Sequence, residues 1–314
     1  FTDGGGSANT ATVTGTPLDA HVGVNTIVIQ GTSDGQTTQV SYTITISEVN
    51  DQPTLTATGA TGTFTEDGSN LALYSSAAAA DSDSQATQTF TSLVLTVTNV
   101  ADTTEYLVVN SGDCDLTDGN SETSDLTGTD DLTCAVSITS GTATVTISHA
   151  GLTAAQMQTL IDAIAYKNTD QSPTAGNRVV TITTMTDSGG TADAGDDSVT
   201  VAIAATVTVA AAPDDPVIAN SDNTGAVTEA VADTTDTAAD TLVVTDADGE
   251  TVTWACSSCN DAGDTQTLTG TYGSWVLTEA TGAWAYTLNN ADSDTDQLDA
   301  GDSVPDALTA VATD

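Results

Sequence analysis

Basic side chains are almost missing from this sequence, and their scarcity limits every structure the chain can adopt. The 314 residues include 44 Asp and Glu but only 2 Lys and Arg, namely Lys167 and Arg178, so the formal net charge is -42. Salt bridges therefore cannot neutralise the surface, whatever the fold. Because self-repulsion at this charge density destabilises a compact chain, the sequence needs either high salt or cations held by clustered carboxylates. The same imbalance excludes sequence-independent binding to nucleic acid and attraction to anionic lipid.

The acidic residues do not form a solvated tail, because only 15% of the residues are charged and 38% are hydrophobic. The length favours two or three domains. No run of 18 apolar residues occurs, so the sequence predicts no membrane-spanning helix.

Alternation of apolar and polar residues with a period of two dominates the chain. Thr and Val are common in these runs, and Gly, Asp, Asn and Ser cluster between them, which is typical of short antiparallel strands in β-sandwiches. The predicted strands are residues 25–29, 40–46, 93–97, 143–147, 179–182, 199–203, 241–244, 274–277 and 284–288. One short helix is predicted from an N-cap at Thr153 through Ile164, with its apolar residues on one core-facing side.

Two proline-containing joints repeat each other along the chain. The first is Glu48-Val49-Asn50-Asp51-Gln52-Pro53 and the second is Pro213-Asp214-Asp215-Pro216. A Glu follows each joint at the same distance, and an Asp-x-Asp motif follows each at nearly the same distance, which indicates tandem modules. We therefore predict a partial module at 1–52, a larger module at 53–215 and a third module at 216–314 that lacks its last strand.

The first joint, Asn50-Asp51-Gln52-Pro53, resembles the joint of bacterial cadherin-like repeats found in large surface adhesins. Residues 15–53 resemble the second half of such an immunoglobulin-like module, and residues 217–314 resemble the VCBS repeat of bacterial surface proteins. The motifs that carry these resemblances include 166–169, 173–178 and 186–190 in the middle module, and 245–249, 270–273, 284–288 and 300–302 in the last. The resemblance implies tandem immunoglobulin/cadherin-like β-sandwich modules.

The resemblance also implies Ca²⁺ at the module joints, as in cadherins. Calcium prefers oxygen ligands and tolerates irregular geometry, and extracellular modules bind it with a Kd of roughly 10⁻⁴ to 10⁻³ M. The implied metal ligands are Asn50, Asp51, Asp81 and Asp83 at the first joint, and Glu66, Asp67, Asp214, Asp215, Asp246 and Asp248 at the second. The sequence departs from the family pattern at Pro213 and Asp215. The alternatives are solvated turn residues and adaptation to high salt without specific sites.

A third acidic run, residues 292–299, begins like an EF-hand loop, but Gln297 replaces the required Gly and Ser303 stands at the position of the bidentate Glu. An acidic turn is the favoured interpretation and calcium binding is the alternative.

The four cysteines suit an oxidising compartment. Cys256 and Cys259 have C-x-x-C spacing but no cationic neighbour to activate a thiolate, which favours a structural disulfide over a redox pair or half of a metal site. Cys114 and Cys134 flank an acidic loop, which a disulfide would restrain. Free thiols are the alternative for all four.

Catalytic chemistry is not supported by the motifs present. Gly31-Thr32-Ser33-Asp34-Gly35 matches G-x-S-x-G, but a second strand follows where a hydrolase needs a helix, which indicates a hairpin loop. His21 and His149 lie in separate modules with no nucleophile motif nearby. Trp275 and Trp284, with Tyr272, could form a sugar-stacking platform, but core packing is the favoured interpretation.

We therefore predict a non-enzymatic, extracellular structural segment of a bacterial surface adhesin or fibre, stiffened by calcium at its joints. One alternative is a self-assembling filament subunit, in which residues 10–13 complete the last module of an identical neighbour by strand addition. Another is a carbohydrate-binding module. The expected partners are neighbouring modules or identical subunits head-to-tail, and also surface glycans or other cells.

Overall fold

A computed structural model describes residues 14–81, 83, 88–125, 131–219, 223–229 and 236–314. The chain divides into two compact units, Phe1–Ala210 and Ala211–Asp314, which we describe separately. The three module boundaries drawn from the joints stay a prediction. The proposed donor segment, residues 10–13, lies outside the described residues.

The first unit begins with a 3-10 turn at Asp19–His21 and a two-stranded hairpin of β1 (Gly23–Ser33) and β2 (Gln36–Ile46). Asp34 and Gly35 form its two-residue turn, with φ of 50° and 77°. Positive φ at both central residues is the geometry that hairpins with Asp-Gly turns use. The G-x-S-x-G match therefore lies at the end of a hairpin, with its last two residues in the turn, and a strand follows it where a hydrolase needs a helix, as predicted.

A β-sandwich with one α-helix makes up the rest of the first unit. A seven-stranded sheet has the order β10-β11-β12-β7-β14-β15-β4, with only β15 and β4 parallel, and a four-stranded sheet has the order β5-β13-β8-β9. β3 and β6 form a separate antiparallel pair. The strands are β3 (Thr54–Gly59), β4 (Thr61–Thr65), β5 (Leu71–Ala72), β6 (Tyr74–Ala80), β7 (Phe90–Thr98), β8 (Glu105–Val109), β9 (Gly112–Asp115), β10 (Ser121–Asp125), β11 (Asp131–Thr139), β12 (Thr142–Leu152), β13 (Ala165–Asn168), β14 (Gly176–Asp187) and β15 (Ser198–Ala210).

The core of this sandwich follows from the period-two pattern. On β7 the side chains of Leu93, Leu95 and Val97 are fully buried, and those of Val94 and Thr96 between them are only partly buried. Tyr166 on β13 packs edge-on against Phe64 on β4, with ring centroids 5.4 Å apart. Burying a Leu, Val or Phe side chain stabilises a fold by about 1.5–3 kcal/mol, so the alternating strands supply most of the driving force.

The helix α1 (Ala154–Asp162) begins at the predicted cap. Thr153 accepts a hydrogen bond from the Gln156 backbone N–H, and the Gln156 side chain accepts one from the Thr153 N–H, which completes a capping box. Met157, Leu160 and Ile161 are buried in the core, as their spacing predicts. Among the described residues, no helix is long and apolar enough to cross a membrane.

Arg178, one of the two basic residues, is buried in the first unit. Its side chain is only 2% exposed, and its guanidinium donates to both carboxylate oxygens of Glu105, at 3.1 and 2.8 Å. Glu105 is also fully buried and accepts hydrogen bonds from the Tyr166 hydroxyl (2.8 Å) and the Ala101 N–H (2.9 Å). Burial alone would lower the pKa of Arg178, but the hydrogen bonds and charge of Glu105 outweigh it and raise the pKa. The cation therefore stabilises the core instead of neutralising the surface.

The second unit has a five-stranded antiparallel sheet in the order β17-β23-β22-β21-β20. Two short pairs, β16 with β18 and β19 with β24, form separate small sheets. The strands are β16 (Val217–Ile218), β17 (Thr237–Thr241), β18 (Val244–Thr245), β19 (Thr253–Ala255), β20 (Asn260–Asp261), β21 (Thr265–Thr269), β22 (Gly273–Thr278), β23 (Ala283–Leu288) and β24 (Val311–Thr313).

The predicted fold class, antiparallel β-sandwich modules with one helix in the middle of the chain, is confirmed. The predicted strand at 241–244 is wrong, because the chain changes sheets there. The Leu242 N–H donates to Gly282 O, whereas Val243 O accepts from the Ala219 N–H, so β17 and β18 belong to different sheets.

Both candidate disulfides are present, including the Cys256–Cys259 bond that the spacing favoured. Cys114 on β9 joins Cys134 on β11, which connects the two sheets of the sandwich, and Cys256 joins Cys259 in the second unit. Cys114, Cys134 and Cys256 are buried, and this placement suits a structural role.

Candidate metal centre

Four segments of the first unit meet at the joint between β2 and β3. They are the joint itself (residues 47–53), the acidic segment after β6, the end of β14 and the residues just before β15. The Asn50 backbone O accepts from the Asp196 N–H at 3.0 Å, and the Asn50 Nδ2 donates to Asp196 O at 3.0 Å. Gln52 Nε2 donates to Asp196 Oδ2 at 2.9 Å. The joint is therefore fixed to the sandwich by its own polar residues.

The predicted ligands Asp81 and Asp83 lie beside this joint. Asp83 Oδ1 accepts from the Asp51 backbone N–H at 3.0 Å, and Asp81 Oδ1 accepts from the Asp83 N–H at 3.0 Å. Gln88 donates its N–H to Asp81 Oδ2 (2.8 Å) and its Nε2 to Asp83 Oδ2 (2.6 Å). The same Nε2 contacts Asn50 Oδ1. The structure thus brings the side chains of Asn50, Asp81 and Asp83 into one network, while Asp51 takes part through its backbone and its side chain is exposed.

Asp187, at the end of β14, is a member of this group that the ligand prediction omitted. Its side chain is 3% exposed, and its Oδ1 accepts from Asn50 Nδ2 (3.2 Å) and from the Gly189 N–H (2.9 Å). Its other oxygen, Oδ2, is buried with no hydrogen-bond partner among the described residues, and so is Oε1 of Gln88. A buried polar atom without a partner costs about 1–3 kcal/mol, and a cation bound at these two oxygens would offset that cost. The signal in the sequence was an Asp that ends an alternating strand directly before Ser-Gly-Gly.

A glycine makes the close approach of these groups possible. A Cβ built on Gly189 would overlap Oδ1 of Asn50 and Oε1 of Gln88. Any side chain at position 189 would therefore displace two of the oxygens that are candidate metal ligands. The network depends on backbone shape as well as on acidic residues.

The electrostatics of the group are those of uncompensated anions. Burial raises the pKa of Asp187, although hydrogen bonds from Gly189 and Asn50 partly oppose it. Burial also raises the pKa of Asp83, with Asp81 and Glu48 adding repulsion. For Asp81, burial acts in the same direction, but hydrogen bonds from Asp83 and Gln88 outweigh it and lower the pKa. Where the folded-state pKa is raised, ionisation disfavours folding at neutral pH, and this cost falls as the pH drops through that pKa.

The donor types of the joint group suit a hard divalent cation, whereas the group of three carboxylates that lie within 4.8 Å of one another among the described residues is Asp246, Glu250 and Asp314 in the second unit. Carboxylates of Asp81, Asp83 and Asp187 and amide oxygens of Asn50 and Gln88 are oxygen donors, and Ca²⁺ takes six to eight such ligands in flexible geometry. Neither of the two basic residues serves this group: Arg178 bonds Glu105 and Asp102, and Lys167 bonds Asp113 at 2.5 Å. A bound cation would therefore supply the counter-charge for this group.

The ligands predicted for the second joint are divided between the two units. In the first unit Glu66 is buried, and its N–H donates to Ala210 O (3.0 Å), while Asp67 accepts from Gln171 Nε2 (3.2 Å). Because these residues belong to one unit and the remaining four to the other, this ligand set stays a prediction.

Within the second unit, the remaining acids form a local group. The Asp214 N–H donates to Asp248 Oδ2 (2.8 Å), and the Glu250 N–H donates to Asp246 Oδ1 (3.1 Å). Carboxylate oxygens of Asp246, Glu250 and Asp314 lie within 4.8 Å of one another. Asp215 is exposed. Glu250 and Asp314 were not predicted as ligands, although Glu250 lies only four residues after Asp246.

The third acidic run folds as consecutive turns. Asp292 Oδ1 accepts from the Asp294 N–H (2.9 Å), and Asp302 Oδ2 accepts from the Asp299 N–H (2.9 Å). These carboxylates are used to hold backbone turns, which favours the acidic-turn interpretation.

The tryptophans of the second unit pack together instead of forming an open platform. Trp284 is 5% exposed and donates from Nε1 to Asn223 Oδ1 at 2.7 Å. Trp275 is half-buried, with its ring centroid 5.3 Å from Trp284 and 4.7 Å from Tyr286. This placement favours the core interpretation over a sugar-stacking surface.

The two histidines hold local turns. His21 Nδ1 accepts from the Leu18 N–H and His149 Nδ1 from the Gly151 N–H, each at 2.9 Å. Neither contact resembles a nucleophile–base pair.

No family model and no curated protein matches the chain. Among solved structures, it is similar to extracellular cadherin domains 3–6 of protocadherin gamma B2, with 14% identity, a TM-score of 0.23 and coverage of 94% of this chain. It spans 55% of that chain. It is also similar to titin domains z1z2 in complex with telethonin (12% identity, 77% of this chain and 83% of that one, TM-score 0.19). A third is the surface layer protein SbsC, domains 4–9 (14% identity, 84% and 31%, TM-score 0.19). Likenesses at these TM-scores do not define a function for the chain.

Proposed function

We propose that the chain is a non-enzymatic, extracellular β-sandwich repeat segment whose joint is stiffened by Ca²⁺. The observation that supports this most is Asp187 Oδ2, a buried carboxylate oxygen with no hydrogen-bond partner among the described residues, in a group with Asp81, Asp83, Asn50 and Gln88. Nothing in this group resembles an acid, base and nucleophile set, so its chemistry is that of cation binding.

The joint is the part of the chain that such a cation would stiffen. Asn50 and Asp51 belong to the connection between the β1–β2 hairpin and the sandwich, whereas Asp81, Asp83 and Asp187 belong to sandwich loops. Bound calcium would supply positive charge that attracts all of these oxygens at once. The side chains then restrict the backbone dihedrals of residues 47–53, and the segment before the joint loses hinge freedom. A series of such joints acts as a stiff spacer.

Location and context belong to the same proposal. Two disulfides suit an oxidising compartment, and a site of this kind requires the millimolar calcium found outside cells. The resemblance of the first joint to bacterial cadherin-like repeats supports the proposal that the segment belongs to a surface adhesin or fibre. The group Asp246, Glu250 and Asp314 is a second candidate for cation binding, within the second unit.

Hydrogen exchange tests the stiffening directly. We expect millimolar CaCl₂ to slow exchange of the amides of Asp51 and Asp196 relative to a chelator-treated sample brought to the same ionic strength with NaCl. Both amides donate to groups of the joint network, so they report its opening. Amides in the middle of β7 serve as an internal reference. Equal rates at the joint in both salts would refute calcium stiffening and favour general salt adaptation.

A further inference from the structure

We propose that copies of this chain associate heterologously, with the apolar face of the β1–β2 hairpin of one copy filling an aromatic cleft in the second unit of the next copy. The inference goes beyond calcium stiffening and does not depend on it. It rests on two apolar surfaces that are only partly covered and on the absence of charged residues from the two hairpin strands.

The first surface is one face of the hairpin. The strand register places Ile27 opposite Tyr42 and Ile29 opposite Val40, with Ile44 next on the same side. Tyr42, Val40 and Ile44 are 55%, 47% and 50% exposed. Among the described residues, β1 and β2 pair only with each other. An isolated two-stranded hairpin is marginally stable in water, and a contiguous apolar patch marks an interaction site.

The hairpin strands are also uncharged. β1 and β2 have 11 residues each, and none of them is Asp, Glu, Lys or Arg. The chain as a whole carries a net charge of -42, so two copies repel each other wherever acidic surfaces meet. An uncharged strand pair is therefore the surface through which copies can approach at least electrostatic cost.

The second surface is a cleft of about 1050 Å³ in the second unit. Trp275, Trp284 and Tyr286 line one side, and Leu298 and Val304 come from the opposing segment, which forms no strand at that point. The volume reaches the upper end of the range for small-molecule pockets, about 300–1000 Å³.

On the aromatic side of the cleft, two of the three side-chain polar atoms are already hydrogen-bonded within the unit. Trp284 Nε1 already bonds Asn223, and the Tyr286 hydroxyl bonds Asp306 Oδ2 at 3.0 Å. Trp275 Nε1 is buried with no hydrogen-bond partner among the described residues. The rest of this side presents ring faces, which suit branched aliphatic and aromatic side chains such as those of the hairpin face.

A second copy supplies both surfaces at once. Hairpin-to-hairpin pairing would bury one apolar surface and leave the cleft open, whereas hairpin-to-cleft pairing buries both. Such a contact joins two different patches, so each added copy presents a new hairpin and a new cleft, and the association continues as a chain.

Analytical ultracentrifugation of the 314-residue chain, with and without calcium, tests this contact. We expect concentration-dependent polymers for the unsubstituted chain. Tyr42→Asp on the hairpin face and Val304→Asp on the cleft rim should each raise the concentration needed for assembly about 30-fold or more, because a charge is then buried at the contact. Val304 is 42% exposed, so its substitution leaves the core intact. Thr43→Asp adds the same charge to the other hairpin face and should leave assembly unchanged.

Mixing the two defective variants gives the decisive result. Tyr42→Asp retains an intact cleft and Val304→Asp retains an intact hairpin, so their mixture should form a 1:1 heterodimer and nothing larger. A monomeric unsubstituted chain at high concentration would overturn the proposal. So would persistent polymers of Tyr42→Asp, or a mixture that stays monomeric although both variants give native circular dichroism spectra. Loss of calcium binding alone leaves these readings unaffected.

Discussion

Arg178→Met is expected to lower the free energy of unfolding of the first unit by about 3–5 kcal/mol, the cost of leaving a buried charge unpaired. Glu105 is fully buried, and the guanidinium of Arg178 donates a charge-assisted hydrogen bond to each of its two carboxylate oxygens. Without the guanidinium, the carboxylate keeps the Tyr166 hydroxyl and backbone N–H donors but no counter-charge. Urea unfolding measures the effect. It is followed by far-ultraviolet circular dichroism, because all three tryptophans lie in the second unit.

Two variants separate the buried charge from loss of packing. Lys167→Met removes the other basic residue, whose pair with Asp113 is partly exposed at 29% and 42%, and should change stability by no more than about 1 kcal/mol. Adding Glu105→Gln to Arg178→Met removes the orphaned charge but keeps an acceptor, and should recover at least about 1 kcal/mol. If Arg178→Met and Lys167→Met lower the free energy of unfolding by the same amount, the buried Arg178–Glu105 pair contributes no more to stability than the exposed Lys167–Asp113 pair.

Asp187→Asn is expected to weaken the response to calcium without destabilising the calcium-free protein. The amide keeps an oxygen for the Asn50 and Gly189 donors and removes a buried carboxylate whose pKa is raised by burial. It also removes one charged ligand, and calcium affinity follows ligand charge. We expect calorimetric titration to show calcium affinity reduced about tenfold or more, a loss of about 1.4 kcal/mol.

The matched control for this variant is Asp193→Asn. Asp193 lies in the same β14–β15 connection and is exposed, so the substitution makes the same charge change outside the network. It should leave calcium affinity within about twofold of the original value. Equal losses in both variants would mean that net charge, and not the group around Asp187, attracts the ion.

Local pattern was sufficient for most elements of the fold. Period-two alternation located β7, β12 and β14, and the residues around Thr153 located the helix together with its cap. The pattern failed at 241–244, where each residue is apolar or β-branched but the chain leaves one sheet for another. Which sheet a strand joins depends on distant partners, and no local propensity encodes it.

The candidate site was half predictable for the same reason. Asn50, Asp81 and Asp83 stand in short motifs near one joint and could be named from the sequence. Asp187 lies 137 positions from Asn50, and the pairing of β14 with β7 and with β15 brings it to the joint. The burial of Arg178 was not predictable from the sequence either, because arginine side chains are mostly exposed and the buried partner, Glu105, lies 73 positions away.

Thermal melting in three solutions tests the central claim, that the joint holds calcium specifically. With a Kd of roughly 10⁻⁴ to 10⁻³ M, about 10 mM CaCl₂ should stabilise the first unit by about 1.4–2.7 kcal/mol, which corresponds to a rise in Tm of about 3–10 °C. The comparison solutions are chelator alone and chelator with NaCl at the ionic strength of the calcium sample. A rise in calcium that NaCl does not reproduce is the predicted result, and identical melting temperatures in the two salts would contradict it.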